Sequence, residues 1–509
     1  MARSILFLGL ALAWPLQAQT VSEPNWTRVE VNTQFFGESA HFADIDKDGD
    51  MDVISTPFWY EGPDWKVSHR FTSGNAMSGN LDVYGGAWQT EAYDFNGDGW
   101  VDILVNLGPC CGNLQWYQNP GNPKSATGNW TARTMMTTKG NESPHLGNVT
   151  GDEKPEYIVM SGNRMGVAEA NPSNPTGAWT FRAVGEVRSG NGSGAYGINA
   201  HGIGAGDLNM DGRIDLMSMH GWYEQPANLQ SEWTFHEAPF SARPYAQENM
   251  GGAQMFAYDI DGDGDNDVVT AVQAHAWGLQ WLENVDGKGG EWKVNKIMGT
   301  SEEVATYGVA FSQPHNLNLA DFDGDGILDL VAGKRWGTHG PDQANTARAI
   351  YWFELKRTAT GAKFTPRLVD DYAGAGTQIM AGDMNGDKKP DIVVAGRRGT
   401  YVLLNGLPTT SSFIAGDSHF PRIRGGLTVQ RSLGDAGGRT LVLRVLQPGF
   451  HHALEFIDAT GRERVFALGN RRAGEVFSLD IGRLPAGSYQ MRAVRDGQAQ
   501  VLGPLSITR

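Results

Sequence analysis

Only two cysteines occur in 509 residues, and they are adjacent, Cys110 and Cys111 in GPCCGN. That excludes a disulfide framework and leaves either a strained vicinal bridge or two free thiols in a tight turn. No basic stripe runs along the chain, which argues against a nucleic-acid partner. Outside the N-terminus no run approaches eighteen apolar residues, so no transmembrane segment is expected. The N-terminus itself, MARSILFLGLALAWPLQAQT, carries one Arg, an apolar stretch over Ile5–Trp14 and a cleavage point after Ala18. Residues 1–18 therefore read as a secretory signal peptide. No Cys lies near that point, which argues against a lipid anchor.

What the chain has in abundance is acid, with a formal net charge of −16. The stretch LADFDGDGILDLVAG places Asp321, Asp323, Asp325 and Asp329 two, two and four residues apart. This is the opening register of a calcium loop, in which alternate side chains turn inward and a glycine permits the bend. The register recurs at Asp44-Asp46-Asp48-Asp52, Asp94-Asn96-Asp98-Asp102, Asp207-Asn209-Asp211-Asp215, Asp259-Asp261-Asp263-Asp267 and Asp383-Asn385-Asp387-Asp391. A decayed copy sits at Asn148-Thr150-Asp152-Glu156. Six well-formed loops, each holding one Ca2+, would offset twelve of the sixteen formal negative charges. The acidity thus reads as metal-binding capacity and not as a surface for a basic partner.

Seven copies at spacings of 50, 54, 59, 52, 62 and 62 residues describe one supersecondary unit repeated. Each loop leads into an apolar run such as DVIS, DILV or DIVVAG, then an aromatic strand such as FWYEGP or LQWYQNP. A Trp-x-x-type segment (NWTRVEV, DWKVSHRF, EWTFHEA) supplies a further strand. Four short strands per repeat predict an all-β propeller of seven blades over residues 25–406. Residues 25–33 precede any loop and are expected to complete the last blade, which removes an open edge.

FADIDKDGDMDVIS, LADFDGDGILDLVAG and AGDMNGDKKPDIVVAG resemble the FG-GAP/VCBS repeat of integrin-type propellers. The resemblance implies the seven-bladed fold; it does not by itself imply an activity, since one fold hosts many. After a linker at 407–419, residues 420–509 hold thirteen Arg, no Lys and seven acids. Short alternating strands there predict a small Ig-like β-sandwich. Its phrase FIDATGRER…SLDIGRLPAGSYQMRAV is similar to the C-terminal sorting modules of bacterial secreted proteins. That similarity implies a cell-surface or secretion-machinery partner and a secreted, periplasmic or cell-surface location. The whole is expected to be monomeric.

Inner strands line a propeller's channel, so the residues preceding each loop are the candidates for chemistry. Three residues before the loop stand His41, Glu91 and His145; five before, Gln89, Gln254 and Gln378; six before, His201 and His315. The face opposite the acidic loops also collects His220, His275, Lys334 and Arg335. Neutral imidazoles with a Gln suit Zn, Mn or Fe better than Ca. His201, His315, His275 and Gln254 are therefore expected to converge on one transition metal, with His41, His145, Glu91 and His220 as further channel candidates. This His/Gln face resembles the metal site of oligogalacturonate lyases, and ESPHLGNVTGDE with the loops looks like the propeller of aldos-2-ulose dehydratase. Both resemblances imply a carbohydrate or oligosaccharide substrate and an elimination beside a carbonyl or carboxylate. Lys334 or Tyr196 would then be the base and Arg335 a bidentate clamp. The competing expectation is a carbohydrate- or protein-binding adhesion propeller that performs no chemistry.

If calcium fills six loops, chelation should lower the melting temperature sharply, because empty loops leave like charges clustered. The Asn148 loop should bind weakly or not at all. A melting temperature unchanged by chelator would contradict a structural role for calcium.

Overall fold

The computed structural model describes residues 25–77, 83–108, 112–137, 142–152, 154–185, 201–241, 251–336, 348–359 and 361–406, and strands at 414–415 and between 427 and 507. The expected signal peptide at 1–18, Cys110, Cys111 and Tyr196 lie outside them. The described fold is all-β and propeller-like; its helical residues amount to one short 3-10 turn, Ser301–Glu303, and one α turn, Val304–Tyr307.

Each sequence repeat yields a run of antiparallel strands. The first repeat forms His41–Ala43, Asp52–Ser55, Phe58–Tyr60 and Ser68–Arg70 in that spatial order. The second and third follow the same pattern over 87–137 and 145–183. In the seventh, Ile379–Gly382, Asp391–Gly396 and Gly399–Asn405 are joined by Trp26–Asn32, which pairs antiparallel with Gly399–Asn405 in the register Trp26↔Asn405. The beginning of the described chain thus completes the last sheet of the repeats.

Seven separate blades were expected, and the sheets differ from that. The fourth and fifth repeats merge into one eight-stranded sheet, because their inner strands Ile203–Gly206 and Gln254–Tyr258 pair in parallel. The cause is in the sequence: a Cβ on Gly204 would stand 2.2 Å from the Met255 carbonyl oxygen, and one on Gly206 would stand 2.1 Å from the Ala257 Cβ. Only glycine lets two backbones approach that closely. The sixth repeat gains a fifth strand, Ile414–Ala415, paired with Leu319 and Ala320. Part of the expected linker at 407–419 is therefore strand. Five separate four-stranded sheets remain, four among the repeats and one in the C-terminal part. That C-terminal part forms a three-stranded and a four-stranded antiparallel sheet.

The apolar core is a series of clusters shared between consecutive repeats. Ile54, Trp59 and Phe71 pack with Ile103, Tyr117 and Trp130 across the first and second. Ala40, Val53 and Tyr60 pack with Met384, Val393 and Val402 across the seventh and first, which closes the ring. A repeat unable to bury its own face gains a core from its neighbours.

Polar groups fix the same seam. Each loop's ninth position opens a buried strand, and its carboxylate accepts backbone N–H groups. Asp52 accepts from Ile45 and Gly62, Asp215 from Leu208 and Gln225, and Asp267 from Ile260 and Asn284. At the end of the third strand an amide side chain then reaches the preceding repeat. Asn119 donates to the Ile45 carbonyl, Gln225 to Val149, Asn284 to Leu208 and Asn405 to Phe322. In five loops the sixth position is a left-handed glycine (Gly49, Gly99, Gly212, Gly264, Gly326), whereas the seventh repeat places Lys388 there at φ 69°.

Gly204→Ala should cost about 1–3 kcal/mol, the usual penalty of overpacking, because its methyl meets backbone that cannot rotate away. A denaturant midpoint equal to that of the wild type would contradict the close-approach explanation of the merged sheet.

Candidate metal centre at the channel mouth

Six residues before each loop, the chain enters its inner strand, and this layer gathers the ionisable groups. His201 stands one residue before the strand Ile203–Gly206, separated by Gly202 at φ +75°. His315 directly precedes Asn316–Ala320, and Glu142 stands at the same offset before the Asn148 loop. His275 comes from the turn after the second strand of the fifth repeat, Asp267–Ala271. All four are buried, and their ligand atoms lie within 4.8 Å of one another.

The contacts converge on Glu142. Its Oε2 is 3.2 Å from His201 Nε2, 3.2 Å from His315 Nε2 and 3.9 Å from His275 Nε2. The Nε2 atoms of His201 and His315 are 3.0 Å apart. A tetrahedral ion with ~2.0–2.1 Å bonds would hold its ligand atoms roughly 3.3 Å apart, and the four measured separations bracket that value. Burial works against ionisation of Glu142, yet the adjacent His201 ring and hydrogen bonds with the three imidazoles hold its carboxyl well below the usual range. Burial pushes His315 down to about 4 and His275 well below the ordinary histidine value. At neutral pH those two rings are neutral, as metal ligation requires.

His201, His275 and His315, three of the four residues expected to converge, therefore meet, and Glu142 lies among them. Gln254 spans the inner strands instead: its Oε1 accepts from Leu317 N at 3.3 Å, and its Nε2 donates to the Thr377 carbonyl at 3.4 Å. Arg335 is not an open clamp. Its Nε donates to Glu38 Oε2 at 2.6 Å, both residues are buried, and its guanidinium lies 4.8 Å from the Trp88 ring centre. Arg335 nonetheless borders the cluster, since its charge helps to lower His315. Lys334 is buried and donates to Ser312 Oγ at 2.8 Å. Glu142 and Glu38 share the offset of His201 and His315, the one signal that could have found Glu142.

Three residues further along the inner strands, about 10 Å deeper, lies a second titratable layer. His41 Nε2 stands 3.8 Å from Glu91 Oε2. Burial pushes Glu91 up to about 8 and His145 down to about 4. His220 sits in the turn between Asp215–Ser218 and Gly221–Glu224, outside these groups.

At the other end of the ring the acidic loops hold their carboxylates together. Asp44, Asp46 and Asp48 form one close group, Asp259, Asp261 and Asp263 a second, and Asp321, Asp323 and Asp325 a third. Lys124 lies 2.7 Å from Asp46 and 2.9 Å from Asp48, while Lys356 lies 2.6 Å from both Asp323 and Asp325. In the other loops the first, third and fifth side chains cap their own turn, as Asp94 and Asn96, Asp207 and Asn209, and Asp383 and Asn385 do for the backbone N–H groups of Asp98, Asp211, Gly386 and Asp387. Burial, followed by charge from neighbouring acids, pushes the ninth-position carboxyls of Asp52, Asp102, Asp215, Asp267 and Asp391 up to about 7, against backbone hydrogen bonds that lower them. Asp329 is raised well above the ordinary value for the same first cause.

The FG-GAP-like repeat family matches residues 94–159, 259–332 and 321–394. No curated protein matches the chain. Among solved structures, one of an Agrocybe aegerita lectin, described as specifically recognising non-reducing terminal N-acetylglucosamine, is 16% identical and covers 74% of this chain and 94% of its own. Its TM-score is 0.37. No helix among the described residues is long and apolar enough to cross a membrane.

The ninth-position carboxyls give a pH dependence with a definite sign. A carboxyl raised on folding contributes stability that is full below the unfolded value, about 4, and lost as pH rises through about 7. Melting measured in chelator from about pH 5 to 8 should therefore fall with pH, and saturating calcium should flatten that fall. A flat profile in chelator would contradict it.

Proposed function

We propose that the channel mouth holds one transition metal, Zn, Mn or Fe. On this reading the protein is a secreted, calcium-binding propeller acting on carbohydrate as a metal-dependent lyase or dehydratase. The observation that carries the reading is the buried group Glu142, His201, His275 and His315. Three imidazoles and one carboxylate in that spacing form a nitrogen-rich donor set, unlike the all-oxygen set of the acidic loops. A metal bound there supplies Lewis acidity toward a sugar carbonyl or carboxylate oxygen, which eases loss of the adjacent C–H proton.

The chain's own groups supply the rest. Glu142 stays ionised and balances the charge of the ion. The Glu38–Arg335 pair fixes a cation beside His315 and, stacked on Trp88, holds that wall rigid. Lys334 is the base candidate among the described residues, and its bond to Ser312 orients the amine. A non-catalytic binding propeller is the second reading, favoured by the commitment of Arg335 to Glu38.

His315→Ala should reduce release of unsaturated or dehydrated sugar by more than the ~10–100-fold typical of losing an outer-shell partner. Calcium-dependent melting should not change. Saccharide binding by the wild type with no product from any metal-loaded form would favour the binding reading.

A further inference from the structure

A cavity of about 380 Å³ lies beside the channel mouth, lined chiefly by Trp336, Arg348, Tyr372, Arg397 and Arg398. That volume is at the small end of ligand pockets, roughly 300–1,000 Å³. Three cationic side chains meet there, and no residue lining the cavity is acidic. Asp370, a nearby carboxylate, is already engaged by Arg28 at 2.6 Å and by the backbone N–H groups of Tyr372 and Ala373. Three buried donors, Arg348 Nε, Arg398 Nε and Trp336 Nε1, have no hydrogen-bond partner among the described residues. Buried donors without acceptors are costly, and clustered guanidiniums add mutual repulsion. Burial and the charge of Arg398 hold Arg348 below its ordinary value.

Two of the guanidiniums lie over aromatic rings. Arg348 lies 4.7 Å from the ring centre of Trp336, and Arg398 lies 4.2 Å from that of Tyr372. Arg397 is fixed by donation to the Trp336 carbonyl at 2.7 Å. Planar forks preset in this way suit a group with several acceptor oxygens and a full negative charge. Trp336 follows Arg335 directly, so the cavity adjoins the wall of the histidine cluster.

We propose that this cavity binds the oxyanion, carboxylate or sulfate, of an acidic sugar residue, with Arg348 and Arg398 as the principal contacts. The anion part stands on the cavity's own geometry; the sugar part rests on the carbohydrate reading above. The step is binding alone, and no bond is made or broken.

Titration calorimetry on the full chain at low salt tests it with four probes. These are an oligogalacturonate, a sulfated oligosaccharide, a neutral oligosaccharide of equal length, and inorganic sulfate. The acidic saccharide carrying the matching anion should bind at least about tenfold more tightly than the neutral one, the factor set by about 1.4 kcal/mol. Arg348→Gln and Arg398→Gln should each erase that preference. The better of the two acidic saccharides identifies the anion. Neutral and acidic saccharides binding alike, or a preference that survives both Arg substitutions, would overturn the site. Inorganic sulfate binding as tightly as either saccharide would overturn the sugar part alone. An intact preference with no sugar product released would leave the site standing while the lyase reading failed.

Discussion

The rest of this fold depends on the hydrogen bonds made by the buried carboxyl at the ninth position of each loop. A carboxyl inside a β-sheet is tolerated only when it is hydrogen-bonded, and burial here pushes it up to about 7 in Asp52, Asp215 and Asp267. Asp267 meets this by accepting from Ile260 and Asn284, and the side chain of Asn284 then crosses to Leu208 of the preceding repeat. One carboxylate thus fixes a loop, the end of a strand and the seam to a neighbour. Asp215 with Gln225, and Asp391 with Asn405, do the same elsewhere. The apolar clusters across the seams supply the bulk of the burial, and the polar pins set the register in which they meet.

Rigid seams make the channel mouth a place where chemistry can be positioned. Residues six before each loop hold one level because the loops hold one level. Glu142, His201 and His315 come from three different repeats and still converge within 4.8 Å. Their supporting wall is built the same way: Glu38 occupies that offset in the first repeat and Trp88 in the second, and Arg335 bridges them. Site precision of this kind follows from placing three of the four side chains beside the starts of strands, with His275 alone coming from a turn.

Much of this was legible in the residues. The Asp register located every repeat, and the early Trp26 strand pointed to closure on the last one. His201, His275 and His315 could be grouped because imidazoles are scarce and recur near inner strands. Glu142 escaped because its loop, Asn148-Thr150-Asp152-Glu156, is the most altered copy, and in ESPHLGNVTGDE the imidazole of His145 was the more obvious donor. Gln254 looked like a ligand, but a Gln facing inward can equally bond neighbouring backbones, and it does so with Leu317 and Thr377. The merging of two sheets depended on Gly204 and Gly206 having no side chain, a signal easily read as turn composition. The commitment of Arg335 to Glu38 joins residues 297 apart, and no local pattern announces it.

X-ray absorption of zinc-loaded, calcium-saturated protein tests the central claim most directly. The account predicts a first shell of three nitrogens and one oxygen, with bonds of about 2.0–2.2 Å and imidazole scattering beyond it. A shell of oxygens alone would place the ion in the acidic loops and contradict a metal centre at the channel mouth.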